Sequence, residues 1–213
     1  MENSLSINEK YASKVALSTD QYFSNMLQEL KYSSNIISKD FSNQALIQQE
    51  LHRLKYQSNN FNSVSVIDST AHIRHLEPQH LKYDSKTIYK TVGIVESLKS
   101  KKTYISTPYK SIANNLIVLM SQPIYSPDQQ YLGMITGSLY LHKKNLISQI
   151  LSTTYSYKNS YMYVIDNKNK IIFHPNIKRI GETIEVNTGL AYMSKHKSGH
   201  IQLVNSEGVN NLA

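Results

Sequence analysis

The histidines and carboxylates are read first, because they carry most of the reactive chemistry a protein has. "HIRH" sets His72 and His75 three apart. On a helix that spacing would stack two imidazoles on one face, as a metal site needs; on a strand it sends them to opposite faces. The surrounding residues read as strand and no carboxylate pair accompanies the histidines, so no metal is expected. His174 precedes Pro175 in "FHPN", which holds it extended at a strand end, a structural position. No two carboxylates stand in a paired setting, and neither a Gly-rich phosphate loop nor a Ser elbow occurs in a chain with 7 glycines. The absence of cysteine excludes thiolate catalysis, disulfides and Cys-based zinc sites together. The residues point away from an enzyme, and no cofactor is expected.

Two aspartates recur in one context. "SVSVIDSTAHIRHL" (Ser63–Leu76) has a partner in "YMYVIDNKNKIIFHP" (Tyr161–Pro175). In each, an apolar run ends in Val-Ile-Asp, four residues follow, and Ile73 or Ile171 restarts the apolar run. An Asp at a strand end accepts hydrogen bonds from backbone N–H groups just ahead and fixes a tight turn. Asp68 and Asp166 are therefore read as turn residues of two related hairpins.

The elements that position these hairpins follow from periodicity. Residues 3 to 38 read as one helix, with Ala12, Ala16, Phe23, Met26, Leu27 and Leu30 at three- and four-residue spacing and no Pro or Gly. That stripe fits two arrangements equally: a homodimer seam, or packing on the rest of the chain. A second helix follows from Ser42 or Asn43 as N-cap. Strands are expected at Phe61–Asp68 and His72–Leu76, then a helix from Ser85 to Lys99 capped by Asp84. Further strands are expected at Thr103–Ser106, Leu116–Ile124 and Tyr131–Leu141. A short helix at Lys143–Leu151 leads to a second cycle: strands Met162–Asp166 and Lys170–His174, a helical "GLAYMSKHKS", and strand His200–Val204. The fold class is α+β: a long N-terminal helix (1–40), then two modules (41–147 and 148–213), each an antiparallel sheet flanked by helices.

The 213 residues suffice for a proper core, and 40% hydrophobic with 18% charged residues is ordinary for a globular protein. The net charge of +8 is scattered, densest in "SLKSKKTY" (Ser97–Tyr104), which fits a solvated basic surface better than a nucleic-acid groove. No nucleic-acid partner is expected. No run of about 18 apolar residues crosses a membrane, and "MENSLSINEK" lacks the basic start and apolar stretch of a signal peptide.

The order of "VSVIDSTAHIRHL", "SKKTYISTPYKS", "LIVLMSQPIYSPDQQYLGMITGSLYL" and "YMYVIDNKNKIIFHPNIKRIGETI", over about 170 residues, resembles a double Cache sensor domain. It is most similar to the sensor regions that Gram-positive bacteria attach to GGDEF diguanylate cyclases. The resemblance implies two PAS-like modules outside the cytoplasm of a membrane-anchored receptor, the first distal from the membrane, with a small-molecule ligand of unknown identity bound there. Chemoreceptors and histidine kinases carry similar domains, and a ligand-free structural or dimerisation module is the further alternative. The chain departs from the family by stopping at "HIQLVNSEGVNNLA", so the second module is expected to be truncated, with an exposed sheet edge.

The resemblance also implies where a ligand sits: between the distal sheet and the segment crossing it, Tyr83 to Lys110. Family members that bind amino acids use an Arg and a Trp-Tyr pair there plus an Asp on the last strand. Here Trp is absent, Tyr83–Lys102 holds no Arg, and Ser138 stands in place of the Asp. The implied lining is Tyr89, Tyr104, Ser106, Tyr109, Ser121, Ser138 and Tyr140, with Arg74 the nearest cation. Such a lining suits a neutral or weakly anionic molecule: a sugar, a nucleobase or a short carboxylate.

Overall fold

A computed structural model describes residues 2–58, 60–143, 148–149, 161–184, 202–204 and 210–212. Helix α1 (Glu2–Ile37) runs 36 residues, about 54 Å. It is no free stalk. Val15, Tyr22, Met26, Leu30 and Ile37 are buried, with Phe23 and Leu27 packed beside them, whereas Ala12 and Ala16 are exposed. Polar ties hold the same face down: Ser34 Oγ donates to Pro123 O (2.6 Å) and Gln122 Nε2 to Leu27 O (3.3 Å). Helix α2 (Gln44–His52) begins at Asn43, whose side chain accepts from Leu46 N–H, and continues into a π-helical turn, Arg53–Ser58.

The first sheet contains β1 (Ser63–Asp68), β2 (Ile73–Glu77), β3 (Tyr104–Ile105), β4 (Tyr109–Lys110), β5 (Leu116–Tyr125) and β6 (Tyr131–Tyr140). Its order is β2-β1-β6-β5-β3, antiparallel where paired, with β4 also on β5. Alternation divides the central strands between two faces. Phe61, Val64, Val66, Met120, Ile124, Ile135 and Leu139 join α1 and α2 in one core. Gly137 of β6 lies under the Phe61 ring, where a Cβ would collide with it. The opposite face is covered by α3 (Val92–Ser100) and the loops on either side of it.

The helix expected from Ser85 instead starts at Val92, with Thr91 at the N-cap position. Asp84 caps a turn, accepting from Lys86 N–H (2.9 Å) and Thr87 Oγ1 (2.8 Å). Beyond it Ile88 bridges His72, and Tyr89 N–H donates to Ala71 O (3.0 Å). The run Thr87, Ile88, Tyr89 and Thr91 is β-branched or aromatic and adds to the hairpin as extended chain.

The second module repeats the hairpin with β7 (Val164–Ile165) and β8 (Ile171–Phe173). A further pair, β9 (Gln202–Val204) and β10 (Asn210–Leu212), is antiparallel. The helices expected at Lys143–Leu151, apart from 148–149, and at "GLAYMSKHKS" lie outside the described residues. The modules meet through Val118, Leu141, Ile171 and Ile180, and through Lys170 Nζ donating to Pro108 O (3.4 Å).

Both aspartates hold their turns in the same way. Asp68 Oδ1 accepts from Thr70 N–H (3.0 Å), Thr70 Oγ1 (2.7 Å) and His72 N–H (3.0 Å). Asp166 Oδ1 accepts from Lys168 N–H (2.8 Å) and Lys170 N–H (2.9 Å). Three residues after each, Ala71 (φ 70°) and Asn169 (φ 59°) take the left-handed conformation that closes the turn. Burial works to raise the Asp68 carboxyl, but hydrogen bonds from Thr70 and His72 outweigh it and hold the group below its usual range. Asp68→Ala is expected to lower stability by about 2 kcal/mol and the melting midpoint by about 4–8 °C. A folded pKa below the unfolded one gives stability that is complete above the ordinary Asp range and lost as pH falls through the lowered value. The gap between wild type and variant, followed by calorimetry, therefore narrows as pH falls below the ordinary Asp range.

Candidate functional site

The face of the first sheet beneath α3 is organised in rows, because residues directly opposite on neighbouring strands share a face. At one end Ile73, Ile67 and Met134 are in register and pack with Ile94 of α3. Two residues along, Leu76, Ser65, Thr136, Ser121 and Tyr104 line up across β2, β1, β6, β5 and β3. The next row is Ser63, Ser138 and Leu119, and the last is Tyr140, Ile117 and Tyr109. Two rows rich in hydroxyls thus lie between two apolar or aromatic ones.

Burying a hydroxyl is unfavourable unless it finds a partner. Ser65 and Thr136 bond each other (2.7 Å), and Ser121 Oγ donates to Ser97 Oγ of α3 (2.9 Å). Ser106 Oγ accepts from Leu119 N–H (2.9 Å), pinning its loop to β5 and keeping its own proton to donate. Ser63 and Ser138 are each 7% exposed, and neither hydroxyl has a partner among the described residues.

Of the eight residues considered from the sequence, seven come to this face. Tyr104, Ser106, Tyr109, Ser121, Ser138 and Tyr140 occupy or adjoin the rows. Tyr89 packs with the Ile67–Met134 cluster, its hydroxyl accepting from Asp84 N–H (2.7 Å). Tyr109 lies against Gly93, where any Cβ would meet its ring, and hydrogen-bonds with Thr91. Burial pushes its phenol up to about 12, so it acts as a neutral group. Arg74 is elsewhere. The β1–β2 register shifts between Val66 and Ile67, pairing them with His75 and Ile73 and leaving Arg74 in the bulge. Its guanidinium lies 5.9 Å from the Phe41 ring, beside the α1 core.

Sequence reading passed over Ser63, Ser65, Ser97, Thr136, Thr91 and Gly93. The alternation in "SVSVID" carried a signal for the first two: serines at every second position of a strand whose valines face a core. Ser97, Thr91 and Gly93 needed the true start of α3.

The whole chain, residues 1–212, matches the Cache domain family. It is a Cache domain. The Cache family is a sensor module rather than a catalytic one, and Cache domains of this kind are extracytoplasmic parts of membrane receptors. The ligand-binding domain of the Pseudomonas fluorescens chemoreceptor CtaA, solved with L-isoleucine, has a similar fold (TM-score 0.75, 15% identity, 99% of this chain and 84% of that one). So does that of the Pseudomonas aeruginosa chemoreceptor PctC, solved with GABA (TM-score 0.71, 16%, 98% and 90%). An extracellular ligand binding receptor from Desulfohalobium retbaense matches at TM-score 0.72 and 13% identity over 92% of this chain, which spans 35% of its length. No curated protein sequence matches the chain. No helix among the described residues is long and apolar enough to cross a membrane.

The buried hydroxyl pairs of this Cache domain are measurable by a double-mutant cycle. Thr136→Val leaves the Ser65 hydroxyl buried without a partner and is expected to cost about 1–3 kcal/mol in urea unfolding. Adding Ser65→Ala removes the orphan, so the double variant loses less than the sum of the single ones.

Proposed function

We propose that this Cache domain is the extracytoplasmic sensor of a bacterial membrane receptor and binds a small molecule on the α3 face of its distal module. The observation that carries this is the pair of hydroxyl rows enclosed between apolar rows, with Ser63 and Ser138 buried and unpartnered. Core positions on the other face of the same strands are apolar apart from Gln122, which bonds Leu27 O of α1. The neighbours CtaA and PctC, solved with L-isoleucine and GABA, support small-molecule binding as the class of activity.

The signal is a population shift: a ligand bridging the rows and α3 favours one placement of the loop Ser106–Lys110. That loop turns Tyr109 toward the site and offers the Pro108 carbonyl to Lys170 of the second module. Exposed Ile7 and Leu17 on α1 support a homodimer through the side of the helix that faces away from Val15 and Tyr22. For the output we propose a diguanylate cyclase, on sequence resemblance alone; a chemoreceptor or histidine kinase is the alternative. A ligand-free module is the second reading, favoured by the Ser65–Thr136 and Ser97–Ser121 pairs, which satisfy each other.

A thermal-shift screen against sugars, nucleobases, amino acids and short carboxylates separates the two. At 100 times its dissociation constant a ligand adds about 2.7 kcal/mol, raising the midpoint by about 5–11 °C. Gly93→Ala, which displaces Tyr109, is expected to abolish the shift. A folded protein that no compound stabilises sinks the sensor reading in favour of the ligand-free one.

A further inference from the structure

We infer that the distal site takes an uncharged small molecule bearing hydroxyl groups, in the chemical class of a monosaccharide or cyclic polyol. This rests on the sensor function proposed above and deepens it.

The inference follows from where the charges are. An ion removed from water needs a partner of opposite charge or several strong hydrogen bonds. The four rows and the buried side of α3 (Gly93, Ile94 and Ser97) hold no ionised side chain. Arg74, the cation a carboxylate would need, lies beside Phe41 at the α1 core. Glu77 pairs with Val64 and so points to the same side, where Tyr56 OH donates to it (3.4 Å). Asp84 is engaged by Lys86 and Thr87 of its own turn, and Lys170 by the Pro108 carbonyl. Among the described residues two charges stand near the rim: Glu96, exposed on α3, which after burial is the second cause that raises the phenol of Tyr104, and exposed Lys143, whose Nζ lies 5.4 Å from the Tyr140 ring. Both are exposed and Lys143 is engaged by the Tyr140 ring, so among the described residues an ion taken down to the hydroxyl rows meets no buried partner of opposite charge.

The remaining donors and acceptors match hydroxylated ligands. A serine hydroxyl rotates and can donate or accept, as can each hydroxyl of a polyol. Ser63 and Ser138, directly opposite on β1 and β6, are more than nine-tenths buried and unpartnered, and Ser106 retains a proton to donate. Tyr140, Ile117 and Tyr109 beside them form an apolar and aromatic row that suits the C–H face of a sugar ring. Both halves of a pyranose, its hydroxyl edge and its apolar face, thus find a counterpart.

Calorimetric titration of the purified domain tests this with three arms: D-glucose, D-ribose and myo-inositol; L-isoleucine, L-serine and L-asparagine; and acetate, L-lactate and succinate. Binding is expected in the first arm, with affinity unchanged between low and high salt because no ion pair forms. Ser138→Val weakens it about tenfold or more, and Ser63→Ala serves as a second variant if Ser138→Val does not fold. Arg74→Gln leaves the affinity unchanged. Binding of an amino acid or carboxylate that Ser138→Val weakens overturns the ligand class while the site stands. Binding indifferent to both serine variants, or none in any arm, overturns the site and the class with it.

Discussion

Strands β5 and β6 are buried on both faces, and the rest of the molecule is arranged around that constraint. A strand covered on one side can present polar residues to water on the other; these two cannot. On one face the demand is met by apolar side chains under α1 and α2, with Gln122 bonded to Leu27 O. On the other, the same strands bury Ser121, Thr136 and Ser138, with Ser63 and Ser65 beside them on β1. Such groups raise the free energy of the fold unless each finds a partner. Four do so within the chain when Ser97 of α3 is counted, as Ser65–Thr136 and Ser97–Ser121. Ser63 and Ser138, each 7% exposed, make no such pair among the described residues, which leaves their hydroxyls free to bond a ligand.

The same alternation ties this face to the second module. Ile117 and Leu119 point toward the hydroxyl rows, while Val118 between them packs with Leu141, Ile171 and Ile180. Displacement of β5 or of the loop pinned to it by Ser106 is felt on both sides, because close-packed interiors transmit small shifts rather than absorbing them. The Ser106–Lys110 loop adds a polar link through Pro108 to Lys170. Coupling needs no separate relay when one strand has a face in each compartment.

Much of this architecture was legible in the sequence, for identifiable reasons. Helix α1 has no breaker in 36 residues, and the Val-Ile-Asp turns recur with the same offset to the next Ile. Both signals are local, and both elements formed where they were read. The start of α3 was not legible, because Ser85–Thr91 carries a helical cap signal at Asp84 yet joins the hairpin through Ile88 and Tyr89. Pairing across the fold overrode the local cap. Arg74 failed for a related reason: one extra residue in β2 turns a side chain from one face to the other, and only the register with β1 reveals it. The rows themselves were half visible, since alternation shows which residues of one strand share a face but not which strands lie side by side.

The repeated hairpin carries different side chains in its two copies. Aligned on their aspartates, Ser63 and Ser65 correspond to Tyr161 and Tyr163, and Leu76 corresponds to His174. In the second module these three rings lie against one another, with centroids 5.1 Å (Tyr161–His174), 6.1 Å (Tyr163–His174) and 6.3 Å (Tyr161–Tyr163) apart. His174 Nδ1 accepts from Asn176 N–H (2.9 Å), while burial, and then the nearby Arg179, lower its pKa and keep the ring neutral. Where the first hairpin presents small hydroxyls toward α3, the second fills the equivalent positions with its own aromatic side chains. The backbone and turn chemistry are shared, so the difference lies in side-chain volume at two alternate positions of one strand. Ser65 is bonded to Thr136 and Ser63 keeps its hydroxyl for another partner, whereas Tyr161 and Tyr163 pack against His174.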